Sequence, residues 1–211
     1  MAATRRLRHE QAEATRLRIL TVAERLFAEQ GVSSVSNRQV GEAAGQGNNT
    51  AVGYHFGTKN DLVRAIVQRH TAAMDTVRDD LLRRFDGSDR FRDWVTCVVR
   101  PYTDHLAALG SPSWYARFAA QVMTEPRLRE LAAAEYSESS LLVTISERLH
   151  ACLPGLPATV RAERDDMAHT LIVQWCAQRE RNVTDWNRTA TGLIDVIEGI
   201  YLAPTMIHVT R

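Results

Sequence analysis

Apolar side chains recur at helical spacing along the chain, and no stretch alternates apolar and polar residues for long enough to make a sheet strand. The pattern predicts an all-α fold. Ile19, Ala23, Leu26 and Phe27 fall at i, i+4, i+7 and i+8, with Leu20 beside them, so a first helix is expected from about Thr15 to Gln30. Gly31 stands where a left-handed cap ends it. Ser36 and Gln39 have capping-box spacing and open a short second helix, Asn37 to Ala44, whose Val40 and Ala44 face the first. Gly45 stops it. Asn48 or Asn49 then caps a third short helix running through about His55, anchored by Val52. Gly57 breaks the chain again, and Thr58 caps a fourth helix bearing Leu62, Ile66 and Met74. Five further helices are expected near 89–109, 112–124, 127–152, 157–181 and 186–203, separated by Gly- or Pro-containing breaks except the last, around Asn182–Thr184. Pro101 should kink or split the first of these.

Two short helices around a Gly45-Gln46-Gly47 turn, buttressed by a longer preceding helix, make a helix-turn-helix. Its second helix is polar on nearly every outward position, and between Arg38 and Lys59 the only acid is Glu42. Asn pairs with adenine edges, Thr offers a methyl and a hydroxyl, and Tyr and His donate to phosphates. Arg38 suits a bidentate contact to guanine. Lys59, at the start of the fourth helix, suits a phosphate shared with free backbone amides. The same geometry also occurs in all-α proteins that never touch DNA; the scarcity of acids favours a phosphate-facing surface.

Residues 15–64 resemble the DNA-binding region of the TetR family of bacterial transcriptional regulators. The matching residues are Ile19-Leu20, Ala23 and Leu26 through Gly31, then Ser36-Asn37-Arg38, Val40-Gly41 and Ala44-Gly45. Tyr54-His55-Phe56-Gly57-Thr58-Lys59 and Leu62 complete them. The resemblance implies a DNA-binding domain over 12–72, including the start of a linking fourth helix, and an effector-binding and dimerisation domain over 73–211. It assigns DNA contact to Asn37, Arg38, Asn48, Asn49, Thr50, Tyr54, His55 and Lys59. Two departures stand out: one extra residue between Ala44-Gly45 and Tyr54-His55-Phe56, and Gly53 where a larger side chain is usual. The implied function is a sequence-specific, ligand-responsive repressor acting as a homodimer on a palindromic operator in double-stranded DNA.

Charge sharpens this picture slightly. Residues 1–59 hold eight Lys and Arg against five Asp and Glu, a net +3, so the remainder carries −2. Arg5, Arg6, Arg8, Arg16 and Arg18 crowd the start, where an arm reaching a flanking minor groove is one reading and a solvated basic tail another. No apolar run is long enough for a membrane span, and the Arg-bearing N-terminus has no apolar segment of a secretory signal. Three cysteines, Cys97, Cys152 and Cys176, form no CxxC pair. A cytoplasmic location is expected, with no cofactor and no metal site.

Trp94, Tyr102, His105, Trp114, Phe118, Met123 and Tyr136 concentrate apolar bodies with polar tips in the middle helices. Each suits a packed core; as a group they also suit the lining of an effector cavity. Leu193, Val196, Ile197, Ile200 and Tyr201 form a stripe on the last helix, and the helix before it offers Met167, Leu171, Trp175 and Gln178. These two helices are the resemblance's expected dimer interface, since a symmetric operator needs two readers roughly 34–36 Å apart. Two other classes compete. An enzyme reusing the scaffold would need an acid/base pair or a metal cluster, and the spacing offers neither. An interaction module would carry the helix-turn-helix as a relic. Salt-dependent duplex binding separates them.

Overall fold

A computed structural model describes residues 2–46, 51–182 and 185–205, and all regular secondary structure among these is helical. In chain order the helices are α1 (Ala2–Gln30), α2 (Asn37–Ala43), α3 (Ala51–Phe56), α4 (Lys59–Arg84) and α5 (Phe91–Leu109). They continue with α6 (Tyr115–Thr124), α7 (Pro126–Ser137), α8 (Ser140–Ala151), α9 (Ala158–Arg179) and α10 (Trp186–Leu202).

The boundaries follow local chemistry. Gly31, Gly45 and Gly57 adopt left-handed φ values of 86°, 69° and 84°, which a glycine reaches without a Cβ clash. At Gly45 this completes a Schellman end to α2, with Gln46 N–H donating to Gly41 O at 2.9 Å and Gly45 N–H to Glu42 O at 3.0 Å. The capping box at α2 forms as expected: Gln39 N–H donates to Ser36 Oγ at 3.2 Å, and Ser36 N–H to Gln39 Oε1 at 2.8 Å. Thr58 and Asp61 do the same for α4, at 3.2 and 3.0 Å.

Two expectations need correction, and of the two outcomes named for Pro101 the split does not occur. The first helix begins at Ala2 rather than Thr15, because the stretch before Thr15 is rich in Ala, Arg, Leu, Glu and Gln, with no Gly or Pro to stop it. The helix expected over 127–152 is two helices. Ser139 interrupts it, its hydroxyl accepting from Leu142 N–H at 3.3 Å and donating to Asp75 at 2.9 Å. Pro101 lies inside α5 without dividing it.

The chain forms two compact units. The first comprises 1–71 and 113–135, the second 72–112 and 136–211. The first unit is built on α1, whose Ile19, Ala23 and Phe27 are fully buried together with Val35, Val40, Val52, Leu62 and Ile66. Helix α6 packs along α1 within the same unit, stacking Phe118 on Phe27 with ring centroids 6.2 Å apart. Behind that stack, His70 of α4 holds Glu24 of α1 at 2.8 Å and lies flat against Tyr115 of α6, centroids 3.8 Å apart. In the second unit α5 packs against α10 and α8, and α10 against α9. Trp94, Val95, Val99, Leu106, Ile145, Ile172 and Ile197 form its interior. Buried Arg164 of α9 donates to the carbonyls of Tyr201 and Ala203, the latter at 2.6 Å, satisfying acceptors left open at the end of α10.

Candidate nucleic-acid interface

Helix α3 is short, so its orientation depends on what grips it. Val52 is fully buried beneath it, and α2 comes close enough that a methyl on Gly41 would lie 3.7 Å from Val52 Cγ2. Its C-terminal end is held from α1: Arg16 Nη1 donates to His55 O at 2.9 Å, and the same guanidinium sits 4.3 Å from the Phe56 ring centroid. The first contact satisfies a helix-end carbonyl and the second is a cation–π interaction. Sequence reasoning counted Arg16 among the leader arginines and missed this clamp; partners about forty positions apart leave no spacing signal.

Gripped from below and from its end, α3 turns Gly53 and Tyr54 to solvent. Tyr54 is 86% exposed, and a Cβ on Gly53 would meet no atom within 4 Å. The His55 ring packs edge-on to Tyr54 at 5.2 Å and is half-buried. Asn48, Asn49 and Thr50, the other expected readers in this segment, lie outside the described residues.

Arg38 projects from the first turn of α2 with its side chain 70% exposed and Glu42 Oε1 2.8 Å from Nε. Its hydrogen bond to Glu42, then that carboxylate's charge, raises the guanidinium pKa above its ordinary value, so Arg38 is a cation at any working pH. The same Glu42 competes with any phosphate or base for it. Asn37 is half-buried, and its side-chain oxygen is buried without a hydrogen-bond partner among the described residues. Lys59 is engaged inward. Its ammonium donates to Val32 O at 3.0 Å and Ser33 O at 3.3 Å, tying the start of α4 to the turn after α1.

The remaining candidates divide between the units. Trp114, Phe118 and Met123 belong to the first, where Phe118 is fully buried; Trp94, Tyr102, His105 and Tyr136 belong to the second. Trp94 is buried, with its indole N–H on Ser88 O at 3.1 Å. Tyr136 meets His169 edge-on at 5.9 Å. On α9, Met167 and Trp175 are 55% and 43% exposed and Leu171 is half-buried. On α10, Leu193, Ile197 and Tyr201 point into their own unit's core and are at most 4% exposed. Gly192, Val196, Gly199 and Leu202 are exposed there, as are Thr191 and Asp195, and Ile200 is half-buried; no atom lies within 4 Å of a Cβ placed on either glycine. Among the described residues no three His, Cys, Asp or Glu side chains gather as a metal-holding group, and no helix is long and apolar enough to cross a membrane.

Residues 19–66 match the family described as bacterial regulatory proteins, tetR family. The fold is similar to that of NalD, the secondary repressor of the MexAB-OprM multidrug efflux pump in Pseudomonas aeruginosa. The two chains are 22% identical, with 90% of this chain and 96% of that one covered, at a TM-score of 0.59. It is also similar to PfmR, a TetR family transcriptional regulator from Thermus thermophilus. There the identity is 17%, the coverage 85% and 96%, and the TM-score 0.55. No curated protein sequence matches the chain.

Proposed function

We propose, on the premise that residues 19–66 are a tetR-family segment on a tetR-family regulator fold, that this chain is a homodimeric, sequence-specific DNA-binding repressor released by a small-molecule effector. It is a regulator rather than an enzyme. The observation that carries the reading is the posture of α3. Arg16 and Val52 fix it from behind, while Tyr54 and the bare backbone at Gly53 face outward from a surface with a single acid between Arg38 and Lys59. A polar helix held rigidly outward is pre-organised for the major groove, where its side chains reach base edges.

Within that reading Arg38 and Tyr54 contact DNA directly. His55 contributes through its half-exposed ring, Lys59 chiefly positions α4, and Asn48, Asn49 and Thr50 supply further base or phosphate contacts. Asn37 lies at the same edge. Two such surfaces must stand roughly 34–36 Å apart to read a palindrome, which requires a dimer. Met167, Leu171 and Trp175 of α9 and Val196, Ile200 and Leu202 of α10 are apolar positions left uncovered for it, and Gly192 and Gly199 allow a partner helix close approach. The repressor sense follows NalD. Effector binding is assigned to the second unit, around Tyr102, His105 and Tyr136. Its effect on DNA affinity is limited to the ligand's differential affinity for the two states, typically ~1–3 kcal/mol.

The test is fluorescence anisotropy on duplex selected from a random library by the protein. Affinity is expected to fall steeply with salt. Arg38→Ala should lose about 1–3 kcal/mol of discrimination at one base-pair position. Unchanged binding and specificity in both Arg38→Ala and Tyr54→Ala would overturn the assignment.

A further inference from the structure

Within the second unit, the inward stripe of α4 runs Met74, Arg78, Leu81 and Leu82, at i, i+4, i+7 and i+8. Met74 is buried and both leucines are half-buried, so Arg78 stands where the pattern calls for an apolar side chain. It is nonetheless inside, only 6% exposed. A guanidinium has five N–H donors and stays charged, so its burial is favourable only where those donors are used. Arg78 uses few of them. Nη1 donates to Asp75 Oδ1 at 2.6 Å, while Nε is buried with no hydrogen-bond partner among the described residues.

The chemistry of that donor narrows what it receives. The Nε–H and one Nη2–H of an arginine lie parallel along one edge and match the two oxygens of a carboxylate. With Nη1 committed to Asp75, this is the edge on which Nε stands unpartnered. Asp75 does not exhaust the positive charge of Arg78. The same Oδ1 accepts from Ser139 Oγ at 2.9 Å, Ser139 caps the positive end of α8, and 29% of the Asp75 side chain is in solvent. The next acids along α4, Asp79 and Asp80, hold Arg83 instead. One guanidinium balances a singly charged oxyanion better than a phosphate dianion. The flanking Met74, Leu81 and Leu82 fit an apolar remainder.

We propose that Arg78 is the acid-recognising residue of the second unit, its Nε edge receiving the carboxylate of a small apolar carboxylic acid that acts as the effector. This rests on the effector-released repressor reading above and gives that effector a chemical class. Nε is covered in the arrangement described, so the acid binds an arrangement in which the guanidinium turns that edge toward it. A ligand that favours one arrangement over another meets the thermodynamic condition for an effector.

The test uses the full-length protein and two probe pairs, benzoate with benzamide and hexanoate with hexanamide, in isothermal titration calorimetry. At least one carboxylate should bind saturably, with its uncharged amide far weaker. Arg78→Gln, which keeps helix propensity, should weaken that carboxylate on the order of 10- to 100-fold, the worth of hydrogen bonds to a charged group. Asp75→Asn should strengthen it several-fold, because a competing carboxylate is removed and Nη1 is freed; damage to the fold cannot mimic a gain. Absence of binding by both carboxylates at millimolar concentration, or equal binding of acid and amide, would overturn the site. So would unchanged affinity in Arg78→Gln. If that variant loses its helical circular dichroism, Asp75→Asn decides, and no gain there overturns the site. The bound acid should also release the library-selected duplex from the intact protein and not from Arg78→Gln. Binding without release would overturn the acid as effector, with Arg78 still its receptor. Failure to bind any duplex while the acid still binds would overturn the DNA-binding reading and leave the Arg78 site standing.

Discussion

Individual side chains here announce their roles through exposure more than through identity. Cys97 and Cys176 are buried free thiols, and burial pushes both up to about 12. A thiol at that value is almost wholly protonated near neutrality, and the thiolate is the reactive form. Cys152 is half-exposed, and burial raises its pKa too. Labelling of the native protein with a thiol reagent at pH 8 should therefore modify Cys152 alone. Cys97 and Cys176 should react only in denaturant, and fast native modification of either would contradict the burial described. Gly53 makes the opposite case. A methyl there meets nothing, so Gly53→Ala should stabilise α3 by roughly 0.5–1 kcal/mol, which is about 1–4 °C in melting temperature for a chain of this size. The added methyl stands beside Tyr54 on the outward face, so operator affinity should fall while the melting temperature rises. A variant that gains both would mean DNA never approaches that backbone.

Helices are where local chemistry and tertiary contact compete. The starts and stops written in capping residues and glycines were legible: the Ser36–Gln39 box, the Gly31, Gly45 and Gly57 ends, and the Thr58 start all stand where the sequence puts them. What escaped was set by distant partners. Ser139 divides α7 from α8 while holding Asp75, sixty-four positions away, and no periodicity encodes that. The site divides in the same way. Arg38 and Tyr54 could be read as outward from pattern alone, whereas Lys59 turned inward to Val32 and Ser33, and Arg16 became the clamp on α3. Arg16→Ala should thus speed amide exchange at Phe56 and Gly57 and weaken operator binding, with the rest of the first unit unchanged. Equal exchange in both proteins would remove the clamp. The start of α4 adds a pH dependence. Hydrogen bonds from the Thr58 side chain and backbone hold the Asp61 carboxyl below its usual range. A depressed folded value contributes stability fully present above the unfolded pKa of about 3.9 and lost as pH falls through the folded one. Asp61→Asn should flatten that acid limb in urea titrations without altering its slope near neutrality.

At the scale of the molecule, the two faces of α10 respond differently to substitution under the proposed dimer. Leu193, Ile197 and Tyr201 serve the protomer's own core, so their loss acts on folding. Ile197, fully buried, should cost about 2–5 kcal/mol as Ile197→Ala through lost contacts and a cavity. Trp175 and Val196 are 43% and 53% exposed, so charges placed there meet solvent in the isolated protomer and desolvation in a dimer. Trp175→Glu with Val196→Arg should therefore leave the protomer's urea midpoint nearly unchanged once it is monomeric, yet halve the sedimenting mass at micromolar concentration. Operator affinity should drop by far more than either charge could cause at a distance, because the second reading helix is no longer tethered and each half-site must be bound separately. A double variant that still sediments as a dimer would move the interface off α9 and α10. One that is monomeric but binds the palindrome as tightly as before would mean the two half-sites are not read by a pair of copies.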